Sequence, residues 1–280
     1  MKKFLVICLA LLCLTACGAP KAQCDVAATT APVAQFAGRI AEGTEIEIGQ
    51  VITDNVSCLH DYSLSVRQME AVASAKLVLI SGAGLEDFME DALRSAKTAD
   101  CSNDVKLHTT AHGDHTHADP HIWLDPDNAA IMAENICIAL TDLYPDHADT
   151  FRTNTDVLKA DLAELKAWGQ EELSSISTNK IITCHDGFGY LASAFGLAIL
   201  AAVEEEAGSE ASAADLTEMI ILVQTHDLPC VFTEVNGGGA AASAICAETG
   251  IQSYALNTAM SGDYFEAMRY NITTLKEALQ

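Results

Sequence analysis

Apolar positions along this chain alternate between short continuous runs and stretches spaced every three to four residues. Runs of strand type occupy 24–30 and 45–52, with a helical candidate between them at 33–41. Val66, Met69 and Val72 or Ala73 recur at helical spacing, so 65–74 reads as a helix. The strand Leu77-Val78-Leu79-Ile80 and the turn Ser81-Gly82-Ala83-Gly84 follow it. A further helix over 85–96 leads to the strand-like Val105-Lys106-Leu107. Strands that alternate with helices predict a parallel sheet covered by helices.

Phe151, Val157, Leu158, Leu162, Leu165, Ala167 and Trp168 keep helical spacing through a proline-free stretch, which predicts one helix over 146–177. Strand candidates at 180–184, 198–203, 230–233 and 253–256, separated by helical segments, form a second unit. The expected fold is α/β: two Rossmann-like lobes with parallel sheets, at 18–145 and 178–280, joined by a long rigid α-helix. Gly237-Gly238-Gly239 lacks the Lys-Ser/Thr pair of a phosphate loop and the GxGxxG dinucleotide pattern, so it reads as a turn before a helix.

The N-terminus has a different character. Lys2 and Lys3, an apolar run from Phe4 to Leu14 and then Thr15-Ala16-Cys17-Gly18 have the layout of a secretory signal peptide at 1–17. The run is too short to span a bilayer, which takes roughly 20 residues. Leu14-Thr15-Ala16-Cys17 resembles the bacterial lipobox, which implies a lipidated Cys17 and an extracytoplasmic protein anchored to the membrane by its N-terminal lipid. An ordinary signal peptide with an incidental cysteine is the alternative.

Half of the 280 residues are hydrophobic, enough to bury sizeable cores, and the formal net charge is -24. Such a field repels nucleic acid and attracts cations. Beyond the first 17 residues the cysteines are Cys24, Cys58, Cys101, Cys137, Cys184, Cys230 and Cys246, an odd set without CxxC spacing. A thiolate metal cluster is therefore poorly supported, and no disulfide pairing follows from the sequence.

The histidines change the picture most. His108, His112, His115 and His117 crowd the residues just before Asp119-Pro120-His121. Imidazole is largely neutral near pH 7 and binds zinc, copper or nickel, so these four suit a mobile auxiliary loop that captures metal. His60, His121 and His185 lie where strand-like runs give way to loops or helices, the usual place for ligands in open α/β sheets.

Three segments, Cys58-Leu59-His60-Asp61-Tyr62-Ser63-Leu64, Asp119-Pro120-His121-Ile122-Trp123-Leu124-Asp125-Pro126 and His185-Asp186-Gly187-Phe188-Gly189-Tyr190, resemble the zinc- and manganese-type solute-binding lipoproteins of ABC importers, the ZnuA/TroA-like family. The resemblance runs on through Gly82-Ala83-Gly84-Leu85-Glu86, Phe232-Thr233-Glu234 and Ser261-Gly262-Asp263-Tyr264. It implies a monomeric receptor with a metal in the cleft between the lobes, ligated by His60, His121 and His185, with an ABC permease and its ATPase as partners. His185 before Asp-x-Phe-x-Tyr resembles the zinc receptors, so the implied cargo is Zn2+, with Mn2+ as the alternative.

Asn257 stands where many relatives carry a ligating Asp, so the resemblance implies the Asn257 amide oxygen or a water as the fourth donor, one that brings no negative charge. Glu204, Glu205, Glu206 and Glu234 are candidates to compensate, and Asp61 and Asp186 are candidates to orient the neighbouring imidazoles. A manganese or iron receptor and a metal-binding adhesin of the same fold are the other readings. A zinc hydrolase is disfavoured because HExxH and GxSxG are both absent, so no enzyme is expected.

Overall fold

In the computed structural model, which describes residues 24–53, 62–112, 115–204, 211–237 and 239–280, the alternating pattern produces two parallel sheets. Strands β1 (Val26–Ala28), β2 (Ile48–Gln50), β3 (Leu77–Ile80) and β4 (Thr98–Asp100) form the first, in the order β2-β1-β3-β4. Helix α1 (Ala31–Ile40) begins with Pro32, whose missing N–H costs nothing in a first turn. Helix α2 (Val66–Ser74) starts from a reciprocal capping box between Ser65 and Gln68.

Two sequence expectations are corrected in this lobe. The helix expected over 85–96 is a 3-10 turn at Asp87–Met89 followed by the short α3 (Glu90–Leu93). The strand expected at 105–107 is a connection, and the fourth strand is Thr-Ala-Asp at 98–100. That edge strand has few apolar residues because its side chains are mostly half-exposed, which leaves little hydrophobic signal.

The histidine segment contributes two paired strands to the fold. It forms an antiparallel hairpin, β5 (Thr109–His112) and β6 (His115–Ala118), with His112 paired to His115 and Thr110 to His117. Beyond it, Asp125 caps α4 (Pro126–Leu143) through the N–H of Asp127. A 3-10 turn at Pro145–His147 then leads into α5 (Ala148–Glu172), the joining helix, which is shorter at both ends than the 146–177 expected.

The second lobe contains β7 (Lys180–His185), α6 (Gly189–Ala194), β8 (Ala198–Glu204), α7 (Ala213–His226), β9 (Cys230–Glu234), α8 (Ala240–Thr249) and β10 (Gln252–Leu256). Its strand order, β10-β9-β7-β8, repeats the first lobe's order read from the other edge. The α/β class expected from the sequence is borne out. Helix α9 (Tyr264–Leu279) closes the chain, and among the described residues no helix is long and apolar enough to cross a membrane. Residues 1–17, expected to be a signal peptide ending at the lipobox Cys17, lie outside the described residues.

Period-two alternation sends the two faces of the second sheet to different cores. Ile182, Cys184 and Val231 face a small cluster with Met219, Val223 and Ile245. Ile181, Cys230 and Phe232 face a larger core that continues through Tyr190 and Tyr264 to Trp123, Phe151 and Phe36. The lobes therefore share apolar packing, and each fully buried large side chain in it contributes about 1.5–3 kcal/mol.

Hydrogen bonds staple the same interface. Trp123 Nε1 donates to the carbonyl of Thr258 at 2.7 Å, and Tyr264 OH donates to the carbonyl of Trp123 at 2.8 Å. Gln35 Nε2 donates to the Gly262 carbonyl at 2.8 Å while its Oε1 accepts from the Tyr264 N–H at 2.9 Å.

Candidate metal centre

The two central strands of the second lobe end together. Thr183 of β7 is in register with Phe232 of β9, and two residues further on His185 and Glu234 finish their strands. Both belong to the strand face that looks toward the first lobe, and both are buried. This position, outside the carboxyl ends of parallel strands where the strand order reverses, is where open α/β sheets place ligands.

His121 approaches from the first lobe. Pro120 turns the chain after the hairpin, and Asp119 folds back so that its Oδ1 meets both the N–H of His121, at 2.9 Å, and Nδ1 of the ring, at 2.8 Å. In a neutral imidazole whose Nδ1 donates to this carboxylate, Nε2 is the lone-pair nitrogen available to a metal. The ring lies 5.2 Å from that of His185, centroid to centroid, at 85°. Gly187 keeps the space beside them open, because a Cβ there would lie 2.4 Å from His185 Nε2 and 2.9 Å from His121 Cε1.

Charge in the pocket is balanced rather than absent. Burial pushes the Asp119 carboxyl up, but the hydrogen bond and charge of His121 outweigh it and leave Asp119 below the ordinary carboxylate value. Burial pulls His121 down, and Asp119, with the charges of Glu234 and Asp186, overcomes it so that the imidazole binds a proton more readily than usual. Such a negative surround suits a bound cation equally well.

Of the ligands implied by resemblance, the structure brings His121 and His185 together. His60, with its neighbours Cys58 and Asp61, lies outside the described residues, as do Glu205 and Glu206. Glu204 is the register partner of His185 on β8. Asn257 sits at the end of β10, where its Oδ1 accepts from the N–H of Ala259 at 2.8 Å. Its own backbone N–H and carbonyl are both held by the buried side chain of Asn271, at 2.7 Å each. Among the described residues no group of three His, Cys, Asp or Glu donors converges.

His108 lies at the base of the hairpin, where its carbonyl accepts from the Asp119 N–H at 2.9 Å. Tyr190, from α6 of the opposite lobe, bridges both strands there: its hydroxyl accepts from the His108 N–H at 2.9 Å and donates to the Asp119 carbonyl at 3.0 Å. Burial pushes this phenol up to about 12, so it keeps the proton it donates.

Sequence reasoning missed Asp119 and Tyr190 as supports and Gly187 as a spacer. A carboxylate two residues before a metal-type histidine, with proline between them, was the available signal for Asp119.

A family model described as zinc-uptake complex component A, periplasmic, matches residues 26–278. The manganese-binding lipoprotein MntA of Bacillus subtilis is 28% identical, over 95% of this chain and 95% of that protein. The zinc-binding lipoprotein AdcA of Streptococcus pneumoniae is 27% identical over 99% of this chain, which spans only 61% of that longer protein. A crystal structure of the laminin-binding protein Lmb of Streptococcus agalactiae superposes with a TM-score of 0.81 at 24% identity, covering 92% of this chain and 100% of that one, and shares its fold.

Proposed function

Because the chain belongs to the family of zinc-uptake complex component A, we propose that it is an extracytoplasmic receptor that captures a divalent transition metal and delivers it to an ABC permease driven by its ATPase. The observation that carries this reading is the opposition of His121 and His185, one imidazole from each lobe, with their rings 5.2 Å apart and a glycine holding the gap. His60 supplies a third nitrogen, and the Asn257 amide or a water the fourth position. Glu234 supplies negative charge nearby, since its field reaches His121.

Nitrogen donors favour zinc over manganese. Manganese is the second reading, because MntA, named for that metal, is as similar to this chain as AdcA, named for zinc. A lipid on Cys17 holds the receptor at the membrane, and no catalytic step is assigned to it.

The test is titration of the purified protein with zinc and with manganese, followed by calorimetry. One tight equivalent, bound more strongly as zinc, is the expected result. Preference for manganese moves the cargo assignment to the other metal, and the absence of any tight equivalent overturns the receptor reading.

A further inference from the structure

The chain beyond β10 makes a tight turn that touches both lobes. Leu256 ends the strand by accepting from the Val235 N–H at 2.8 Å, and Asn257, Thr258 and Ala259 follow outside the ladder. One peptide unit of this turn is held on both edges. Its carbonyl, on Thr258, accepts from Trp123 Nε1 of the first lobe at 2.7 Å, and its N–H, on Ala259, donates to Asn257 Oδ1 at 2.8 Å. The Thr258 hydroxyl donates to Glu234 Oε1 at 3.2 Å, beside the other half of the site. Ala259 is buried with a φ of 59°, a left-handed conformation that a Cβ disfavours, so the turn needs support from outside.

That support comes from α9. Asn271, fully buried, accepts from the Asn257 N–H through Oδ1 and donates to the Asn257 carbonyl through Nδ2, at 2.7 Å each. A carboxamide carries an acceptor and a donor in one plane, so it continues the strand end as a neighbouring peptide would. A carboxylate offers no donor there, and an aliphatic side chain offers neither group.

We propose that Asn271 is a positioning residue for the metal centre: by fixing the 257–259 turn it fixes the carbonyl that anchors Trp123, and with it the gap between His121 and His185. The link to His121 is short. Trp123 belongs to the 3-10 turn at Ile122–Leu124, the Leu124 N–H donates to the His121 carbonyl at 3.1 Å, and the His121 and Trp123 rings lie 5.6 Å apart. Asp119 grips His121 from the preceding side, and Trp123 grips it from the following one.

The inference rests on the receptor reading, because the gap matters only if a metal occupies it. The full chain is compared as wild type, Asn271→Leu and Leu279→Ala, with thermal melts to verify folding. Asn271→Leu keeps the volume and removes both hydrogen bonds, whereas Leu279→Ala loosens the far end of the same helix and leaves the turn alone. If Asn271→Leu does not fold, Asn271→Asp, which keeps the acceptor alone, takes its place. Exchange of the Trp123 indole N–H, assigned by NMR with the help of Trp168→Phe, is read without metal, and zinc and manganese affinities are read by calorimetry. In Asn271→Leu the exchange should quicken roughly tenfold or more. Zinc affinity should fall about 10–100-fold, and the ratio of zinc to manganese affinity should change, because ions of different preferred geometry respond differently to an altered gap. Leu279→Ala should leave the exchange and both affinities as in the wild type. Unchanged exchange or unchanged zinc affinity in Asn271→Leu, or an equal loss in Leu279→Ala, overturns the proposal while the receptor reading stands. Absence of a tight zinc equivalent from the wild type overturns the receptor reading itself.

Discussion

The two lobes share one strand order but position the side chains of the candidate site by different means. Strands of the second lobe run five to seven residues, and β7 and β9 deliver His185 and Glu234 directly from their ends. Strands of the first lobe run three or four, and His121 comes from a loop well beyond them. Backbone ladders place one half of the site. Side-chain hydrogen bonds place the other half, and some of these, from Tyr190 and to Thr258, come from the opposite lobe. Precision in the first half is thus supplied by contacts that a sheet does not provide, and it should be the easier half to loosen.

The largest effect tests whether the halves are equal partners in binding. His121→Ala and His185→Ala should each weaken zinc binding by more than the roughly 10–100-fold typical of outer-shell changes. A loss confined to one of them would mean that the metal sits in a single lobe.

Next comes the asymmetry itself. Asp119→Asn keeps an acceptor for the His121 backbone but weakens the hold on its ring, and should cost about 10–100-fold in zinc affinity with little change in fold. An affinity within about twofold of wild type, by calorimetry, would break the idea that side chains position this half.

A third test probes the floor of the first lobe, where Glu86 is buried and accepts from Thr29 OH at 2.6 Å, Ser81 N–H at 2.7 Å and Gly82 N–H at 3.0 Å. Glu86→Gln turns an amide donor toward one of these donors and should cost about 1–3 kcal/mol in denaturant melts. Burial raises this carboxyl above its ordinary value, and the three donors only partly offset it. The folded protein therefore holds the proton more tightly than the unfolded chain. The resulting stability is complete below the ordinary pKa of 4.5 and is lost as pH rises through the raised value. Melts across that range should show the trend in the wild type and a flatter one in Glu86→Gln.

The smallest effect belongs to the helices. Lys166 of α5 bridges Asp125 and Asp127 at the start of α4, at 2.9 and 2.6 Å. Lys166→Met should change stability by about 1 kcal/mol or less, since the pair is partly solvated. A larger loss would place part of the first lobe's rigidity in this bridge.

Legibility in the sequence followed the same division. Strands β3, β7 and β9 were readable because their apolar runs face cores on both sides or at a lobe interface. The edge strand at 98–100 was not, and helix α4 went unremarked although Asp125-Pro126 is a plain start signal. His121 and His185 stood out by residue type and position. Asp119 and Tyr190 did not, because a carboxylate that turns back on its neighbour and a phenol that reaches a distant backbone depend on tertiary placement that periodicity does not encode.

Helix α9 gives the first lobe a late dependence on the end of the described chain. Tyr264 meets Gln35 across 229 positions of sequence and Trp123 across 141. Closing loops of that span is slow, and the contacts that reward it arrive only when the last helix does. Until then Phe36 and Trp123 lack their cover, and a chain cut short before α9 would present apolar surface to proteases and to aggregation. Helix α9 thus completes the cover of a core whose other side lies more than two hundred positions earlier in sequence.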